Sequence, residues 1–146
     1  MKKGIILSGG KGTRLYPITK FNSKQLLPVF NKPMIYYSLS TLMLAGVKEI
    51  LIISNEQFIP YYKELLGNGE LLGIKIDFLI QEEANGIAEA LIIGNEFIGD
   101  DNVYLLLGDN IFYGSGMQGY FQEIDKYENH AYVFGTYVSN PSDFGI

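Results

Sequence analysis

A chain of 146 residues, 47% of them hydrophobic, is long enough for one domain, and its lack of cysteine excludes a disulfide framework or a thiolate metal site. No stretch approaches the roughly 18 apolar residues of a membrane-spanning helix, so the sequence predicts a soluble protein with no membrane partner, and the lack of cysteine fits a cytoplasmic location. The net charge is −5, yet eight of the eleven basic residues and none of the sixteen acidic ones precede Glu49, which favours a small anionic ligand over a nucleic acid.

The first half of the chain alternates between apolar strands and amphipathic helices. Residues 5–7 form a short buried strand that ends at a glycine-rich loop. Pro33 is typical of a first helical position, and the helix that follows ends at Gly46. A second strand covers residues 50–53, and the next helical stripe lies within 59–66.

The second half repeats this alternation. Strands are predicted at 76–80 and 103–107, a helical stripe at 87–98, a helix at 117–124 and a last strand at 132–138. Continuously apolar strands that alternate with amphipathic helices indicate a parallel sheet covered on both faces. We therefore expect a Rossmann-like, three-layer α/β/α fold with a mostly parallel sheet, which binds its ligand at the carboxyl ends of the strands.

The first glycine-rich loop follows the first strand directly. Gly9, Gly10 and Gly12 let the backbone approach a phosphate closely and direct successive N–H groups at its oxygens, and Thr13 adds a hydroxyl. A P-loop is excluded, because Lys11 is followed by glycine rather than by Ser or Thr. The loop predicts a phosphate site of another kind.

Three charged residues are candidates to complete this site. Arg14 is the single arginine of the chain, and its planar guanidinium binds two phosphate oxygens at once, as lysine cannot. Lys24 would add a second positive charge, although an exposed loop lysine is an equal interpretation of that residue alone. Asp109 follows the strand at 103–107, where it either binds Mg²⁺ beside phosphates or belongs to an ordinary Gly-Asp-Asn turn.

Other features have weaker links to a site. A dinucleotide-binding fingerprint occurs at Gly114, Gly116 and Gly119, but the preceding strand ends several residues too early, so a loop and a helix start are favoured. His130 lacks metal-ligating neighbours in sequence and is predicted at a strand entrance. Four tyrosines at helical positions are predicted to be core or subunit-contact residues: Tyr36, Tyr37, Tyr61 and Tyr62.

Five segments together resemble the sugar-phosphate nucleotidylyltransferases: GGKGTRLYPIT (9–19), SKQLLP (23–28), KPMIYY (32–37), LMLAG (42–46) and GDNIFYG (108–114). The resemblance spans the whole chain and implies a GT-A-like nucleotidyltransferase fold. Residues 1–146 would form the nucleotide-binding N-terminal part of a single domain, because family members continue well past a segment such as DFGI. A further strand that the sequence enters at Phe144 agrees with such a truncation.

The resemblance also implies roles for matching residues. The implied nucleotide-binding residues are Gly9, Gly10, Gly12, Thr13, Arg14, Gln25, Gln81 and Gly86. The last two would read the thymine or uracil edge. Arg14 and Lys24 would be catalytic at the phosphates, Asp109 would hold Mg²⁺, and Gly145 would contact the sugar. The second metal-binding aspartate and the groups that grip the sugar phosphate are expected beyond residue 146.

The implied reaction is Mg²⁺-dependent transfer of a thymidylyl group from dTTP to glucose 1-phosphate, a step in nucleotide-sugar synthesis such as the dTDP-rhamnose pathway. KQLLP with KPMIYY resembles the thymidylyltransferases more than the uridylyltransferases, but UTP stays a possible substrate, since the two bases differ by one methyl group. A non-catalytic nucleotide-binding module and a dinucleotide oxidoreductase are competing hypotheses from different functional classes. A homo-oligomer, a dimer or a tetramer, is expected for the full-length protein.

Overall fold

A four-stranded parallel sheet forms the centre of the computed structural model, which describes residues 1–10, 12–83, 85–127, 130–140 and 142. In chain order the strands are β1 (Lys2–Leu7), β2 (Pro28–Val29), β3 (Lys32–Pro33), β4 (Glu49–Ser54), β5 (Lys75–Ile80) and β6 (Asn102–Leu107). The helices are α1 (Ile35–Leu44), α2 (Ile59–Leu66), α3 (Glu89–Ile93), α4 (Asn95–Ile98) and α5 (Met117–Ile124). None of the helices within the described ranges is long and apolar enough to cross a membrane.

The sheet has the order β5-β4-β1-β6, and every neighbouring pair is parallel. Ile5 of β1 stands opposite Leu51 of β4 on one side and Leu105 of β6 on the other. The chain moves outward from β1 to β4 and β5 and then returns to the other side of β1. The strand order therefore reverses between β1 and β6, the position at which such sheets bind ligands.

Helices cover both faces of the sheet, as predicted. Ile6 and Ile52 point into a core shared with α1, α2 and α5, whereas their neighbours Ile5 and Ile53 pack against Ala90 of α3 on the opposite face. All five of these side chains are fully buried. Because side chains alternate along a strand, an apolar run becomes the middle layer of three, which confirms the predicted α/β/α architecture.

Two helix boundaries differ from the prediction. Pro33 lies in β3 rather than at a first helical position, because the Met34 N–H donates to the Leu27 carbonyl at 3.0 Å and draws this segment into the β2–β3 ribbon. The stripe at 87–98 divides into α3 and α4 at Gly94, whose ψ of 4° departs from helical geometry. A Cβ at Gly94 would lie 2.8 Å from the side chain of Ile5, so the glycine allows a close approach to the sheet.

The predicted strand at 132–138 is wrong, because no strand occurs within residues 130–140. Phe134 instead packs edge-to-face on Phe121 of α5 and on Phe112, with ring centroids 6.1 and 5.8 Å apart. Strand-forming residues make a strand only where a neighbouring strand pairs with them, and none of the described strands pairs with residues 132–138. The strand expected at Phe144 lies outside the described residues.

His130 therefore does not lie at a strand entrance. Its ring packs near Tyr127 and Tyr132, at centroid distances of 6.0 and 6.3 Å. The predicted loop and helix start are found at the fingerprint glycines: Gly114 lies in the loop, Gly116, with a φ of 79°, directly precedes α5, and Gly119 lies in the first turn of that helix.

Candidate functional site

A pocket of about 220 Å³ opens at the carboxyl ends of β1 and β6. The two strands are held together there by the Gly108 N–H, which donates to the Leu7 carbonyl at 2.9 Å. The pocket is lined by Gly10, Gly12, Thr13, Arg14, Leu15, Lys24, Gln25 and Asp109. All of these except Leu15 were predicted as site residues, so the structure brings most of the predicted site together.

The glycine loop owes its shape to Gly12. This residue has a φ of 58°, a left-handed conformation that glycine adopts without strain, and a Cβ there would lie 2.8 Å from the Thr19 methyl group. The Thr19 hydroxyl donates to the Gly12 carbonyl at 2.8 Å and fixes the bend. The short helical turn that follows carries Thr13 and Arg14, both exposed, to the pocket wall.

Lys24 and Asp109 face each other across the pocket. The Lys24 Nζ lies 2.8 Å from Asp109 Oδ2, and each side chain is 31% exposed. Lys24 is therefore more than an exposed loop lysine, and Asp109 is more than a residue of an ordinary turn, because the two side chains form an ion pair. With Arg14, the described lining residues carry two cations and one carboxylate, an electrostatic balance that favours an anionic ligand.

A buried polar network supports the floor of the pocket. The Ser23 hydroxyl donates to Gln25 Oε1 at 2.7 Å, which leaves its oxygen to accept from the Tyr62 hydroxyl, also at 2.7 Å. Burial raises the pKa of Tyr62, so its hydroxyl stays protonated and can donate. Tyr62 is a core residue, as predicted, but its polar role was missed: only a hydroxyl on an otherwise apolar helix stripe hints at it.

A second group of residues meets at Gly9, which precedes the lining residue Gly10 in the chain. A Cβ at Gly9 would lie 2.1 Å from Gln81 Oε1, so the glycine makes room for the Gln81 side chain, which is 3% exposed. Gln81 Nε2 donates to Glu89 Oε2 at 2.5 Å, and Asn85 Nδ2 donates to Glu89 Oε1 at 3.0 Å. Sequence reasoning missed Glu89 and Asn85, because no periodicity or motif links them to Gln81.

The remaining predicted residues lie apart from the pocket. Gly86 has a φ of 104° in the exposed loop between β5 and α3 and is not one of the lining residues. Gly145 lies outside the described residues.

The side chains of the pocket suit a metal ion that enters together with a phosphate compound, rather than a metal ion held by protein side chains alone. Within the described ranges, no three His, Cys, Asp or Glu residues are grouped so that they could hold a metal ion. Among the described residues that line the pocket, Asp109 is the one carboxylate. Mg²⁺ is commonly held by one or two carboxylates and by the phosphates of a substrate, so Asp109 fits such an ion.

Comparison with known proteins agrees with this geometry. The nucleotidyl transferase family profile matches residues 3–146. The chain is 54% identical to a glucose-1-phosphate thymidylyltransferase of Neisseria meningitidis, across 99% of this chain and 50% of the relative. The corresponding enzyme of Xanthomonas campestris is 50% identical, across 99% of this chain and 49% of the relative.

A solved structure of a proposed glucose-1-phosphate thymidylyltransferase from Bacillus anthracis, in complex with sucrose, is 39% identical. It superposes with a TM-score of 0.82 and covers 88% of this chain and 52% of its own. The chain thus spans about half the length of the relatives that it matches.

Proposed function

The chain belongs to the nucleotidyl transferase family, and we propose that its protein transfers a thymidylyl group from dTTP to glucose 1-phosphate, forming dTDP-glucose and pyrophosphate. The observation that carries the proposal is the meeting of Gly10, Gly12, Arg14 and Lys24 in one pocket where the strand order reverses. Identity near 50% to thymidylyltransferases supports the choice of substrates.

The proposed reaction is an in-line displacement at phosphorus. A phosphate oxygen of the sugar 1-phosphate bonds to the α-phosphorus of dTTP, and the bond from that phosphorus to the oxygen bridging to the β-phosphate breaks. Pyrophosphate leaves with the bonding electrons. The nucleophile is already anionic near neutral pH, so no general base is needed, and the part of the lining that the structure describes includes no His, Cys or Ser.

The task of the protein is then to align the reactants and to neutralise charge. The N–H groups of Gly10 and Gly12 would donate to phosphate oxygens, and Arg14 would bind two oxygens at once. Lys24 would exchange its bond to Asp109 for a phosphate oxygen, which frees the carboxylate. Mg²⁺, held by Asp109 and the phosphates, would further neutralise the triphosphate when bound.

Other parts of the proposal rest on the relatives and on the resemblance. Gln81 and Gly86 would contact the base, and Gly145 the sugar. Groups that grip the sugar phosphate would lie in the half of the relatives' length that this chain does not span. A cytoplasmic homo-oligomer that supplies dTDP-sugar synthesis, as for dTDP-rhamnose, completes the proposal.

The test is a pyrophosphate-release assay on the protein at its natural length, with dTTP, glucose 1-phosphate and Mg²⁺, and with each omitted in turn. We expect turnover of about 1 to 10³ per second, and a preference for dTTP over UTP of no more than about 200-fold. A protein that binds dTTP but releases no pyrophosphate with either nucleotide would instead be a non-catalytic nucleotide-binding module.

A further inference from the structure

The amide group of Gln81 is held in one orientation by Glu89. The amide lies at the carboxyl end of β5, almost fully buried, and only its Nε2 hydrogens can bond to the Glu89 carboxylate, 2.5 Å away. A rotation that exchanged oxygen and nitrogen would place two acceptors against each other. Because a buried acceptor pair without a hydrogen is costly, this contact selects one orientation of the amide.

Glu89 is itself fixed. Its carboxylate accepts from the Asn85 backbone N–H at 3.2 Å and from Asn85 Nδ2 at 3.0 Å, in addition to Gln81. These bonds, first the one from Gln81 and then those from Asn85, lower the pKa of Glu89 below its ordinary value. The group is therefore ionised at neutral pH and acts only as an acceptor.

The consequence is that carbonyl oxygens face Gly9. The point where a Gly9 Cβ would stand is 2.1 Å from Gln81 Oε1 and 3.3 Å from Asn55 Oδ1. Asn55 Oδ1 is buried and has no hydrogen-bond partner among the described residues. This side of the glycine loop thus offers acceptors and matches a ligand that presents an N–H group.

We propose that Glu89 is a positioning residue that sets nucleobase preference: by holding the Gln81 carbonyl toward Gly9, it favours pyrimidines with a hydrogen on N3 over cytosine. Thymine and uracil carry this hydrogen, whereas N3 of cytosine is an acceptor and would meet Gln81 Oε1 with no hydrogen between them. The second Nε2 hydrogen of Gln81 remains to donate to a base carbonyl. The inference rests on the proposed function, because it places the base beside Gly9 and Gln81.

The experiment measures the affinities of dTTP, UTP and dCTP in the presence of Mg²⁺ for the protein at its natural length. Glu89→Gln keeps the shape of the side chain but allows it to donate, so the Gln81 amide can turn over to suit cytosine. Glu83→Gln is the matched control, because it removes the same charge from an exposed side chain in the loop that precedes α3. Both variants are checked by thermal unfolding.

We expect the unaltered protein to bind dTTP and UTP about 10- to 100-fold more tightly than dCTP. In Glu89→Gln that preference should fall by about tenfold, through weaker dTTP and UTP binding and tighter dCTP binding, while Glu83→Gln keeps it. A merely structural role would weaken all three nucleotides together and leave their ratio unchanged.

An unchanged ratio in a folded Glu89→Gln protein overturns the inference and leaves the proposed function standing. If the unaltered protein binds none of the three nucleotides, both fail. Should Glu89→Gln not fold, Glu89→Asp provides the same test, since the shorter side chain withdraws the carboxylate from Gln81 but keeps its charge. A preserved ratio in that variant also overturns the inference.

Discussion

The two ends of the central sheet use their charged residues differently. At the amino ends of β1 and β6, Lys2 bonds to Asp125 at 2.5 Å and Lys3 to Asp101 at 3.0 Å. At the carboxyl ends, the ion pair between Lys24 and Asp109 lies beside a glycine loop instead of between regular elements.

The comparison shows that the basic first third of the sequence is not one surface. Among its described cations, Arg14 and Lys24 line the pocket, whereas Lys2 and Lys3 are paired with acids from the later part of the chain. Pairs of the second kind link strand to helix or loop and contribute to the fold. Lys24 and its partner Asp109 instead lie side by side on the wall of a pocket, next to the glycine loop and Arg14, where a ligand can reach them.

The largest effect is expected for Arg14→Lys in the protein at its natural length. This change keeps the charge but removes the forked donor, and we expect turnover to fall on the order of a hundredfold. Pyrophosphate release measures it, and Lys48→Arg, a reverse exchange at an exposed residue just before β4, is the control. A rate close to that of the unaltered protein would remove Arg14 from the proposed machinery.

Gly9→Ala should affect both fold and site. Its methyl group would stand 2.1 Å from Gln81 Oε1, and Gln81 cannot withdraw without losing its bond to Glu89. We expect a loss of about 1 to 3 kcal/mol in the free energy of unfolding and about tenfold weaker dTTP binding. Gly10→Ala is the matched control for stability, because no described residue other than its chain neighbours lies within 4 Å of the added methyl group. Equal stability losses in the two variants would contradict the close contact at Gly9.

A smaller effect is expected for Tyr62→Phe, which removes one hydroxyl from the network under the pocket. The Ser23 hydroxyl loses a donor but keeps its bond to Gln25, so urea unfolding should show a loss of about 1 kcal/mol. Tyr61→Phe, at the adjacent and 56% exposed position, should leave stability unchanged. A larger loss in the Tyr61 variant would show that the network does not stabilise this region.

The smallest effect is expected for Asp101→Asn, at the amino ends of the central strands. The amino group of Met1 and then Lys3 hold the pKa of Asp101 below its usual 3.8. A lowered folded pKa stabilises the protein above the unfolded pKa, and that contribution is lost as the pH falls through the folded value. Asp101→Asn should therefore lower Tm slightly at pH 7, and the difference should shrink below pH 3.8.

Asp100→Asn, at the exposed neighbouring position, serves as its control. Nucleotide binding should be unaffected in both variants, since they lie at the far end of the sheet. Weaker dTTP binding in the Asp101 variant would mean that the two ends are not independent.

Sequence patterns predicted the layered fold because parallel strands are continuous apolar runs. The same reasoning failed at 132–138, where strand-forming residues have no paired neighbour. Topology placed Arg14 and Asp109 at the same edge of the sheet, but the direct bond from Lys24 to Asp109 depends on a loop path that periodicity does not encode. The pairing of Gln81 with Glu89 was missed for the same reason, as it depends on the turn between them.

The central claim is tested most directly by a crystal structure of the protein with dTTP and Mg²⁺. We predict the triphosphate in the pocket between β1 and β6, with its oxygens bonded to Arg14 and to the N–H groups of the glycine loop. Lys24 should have left Asp109 for a phosphate. A triphosphate bound elsewhere, with the Lys24–Asp109 pair intact, would contradict the account.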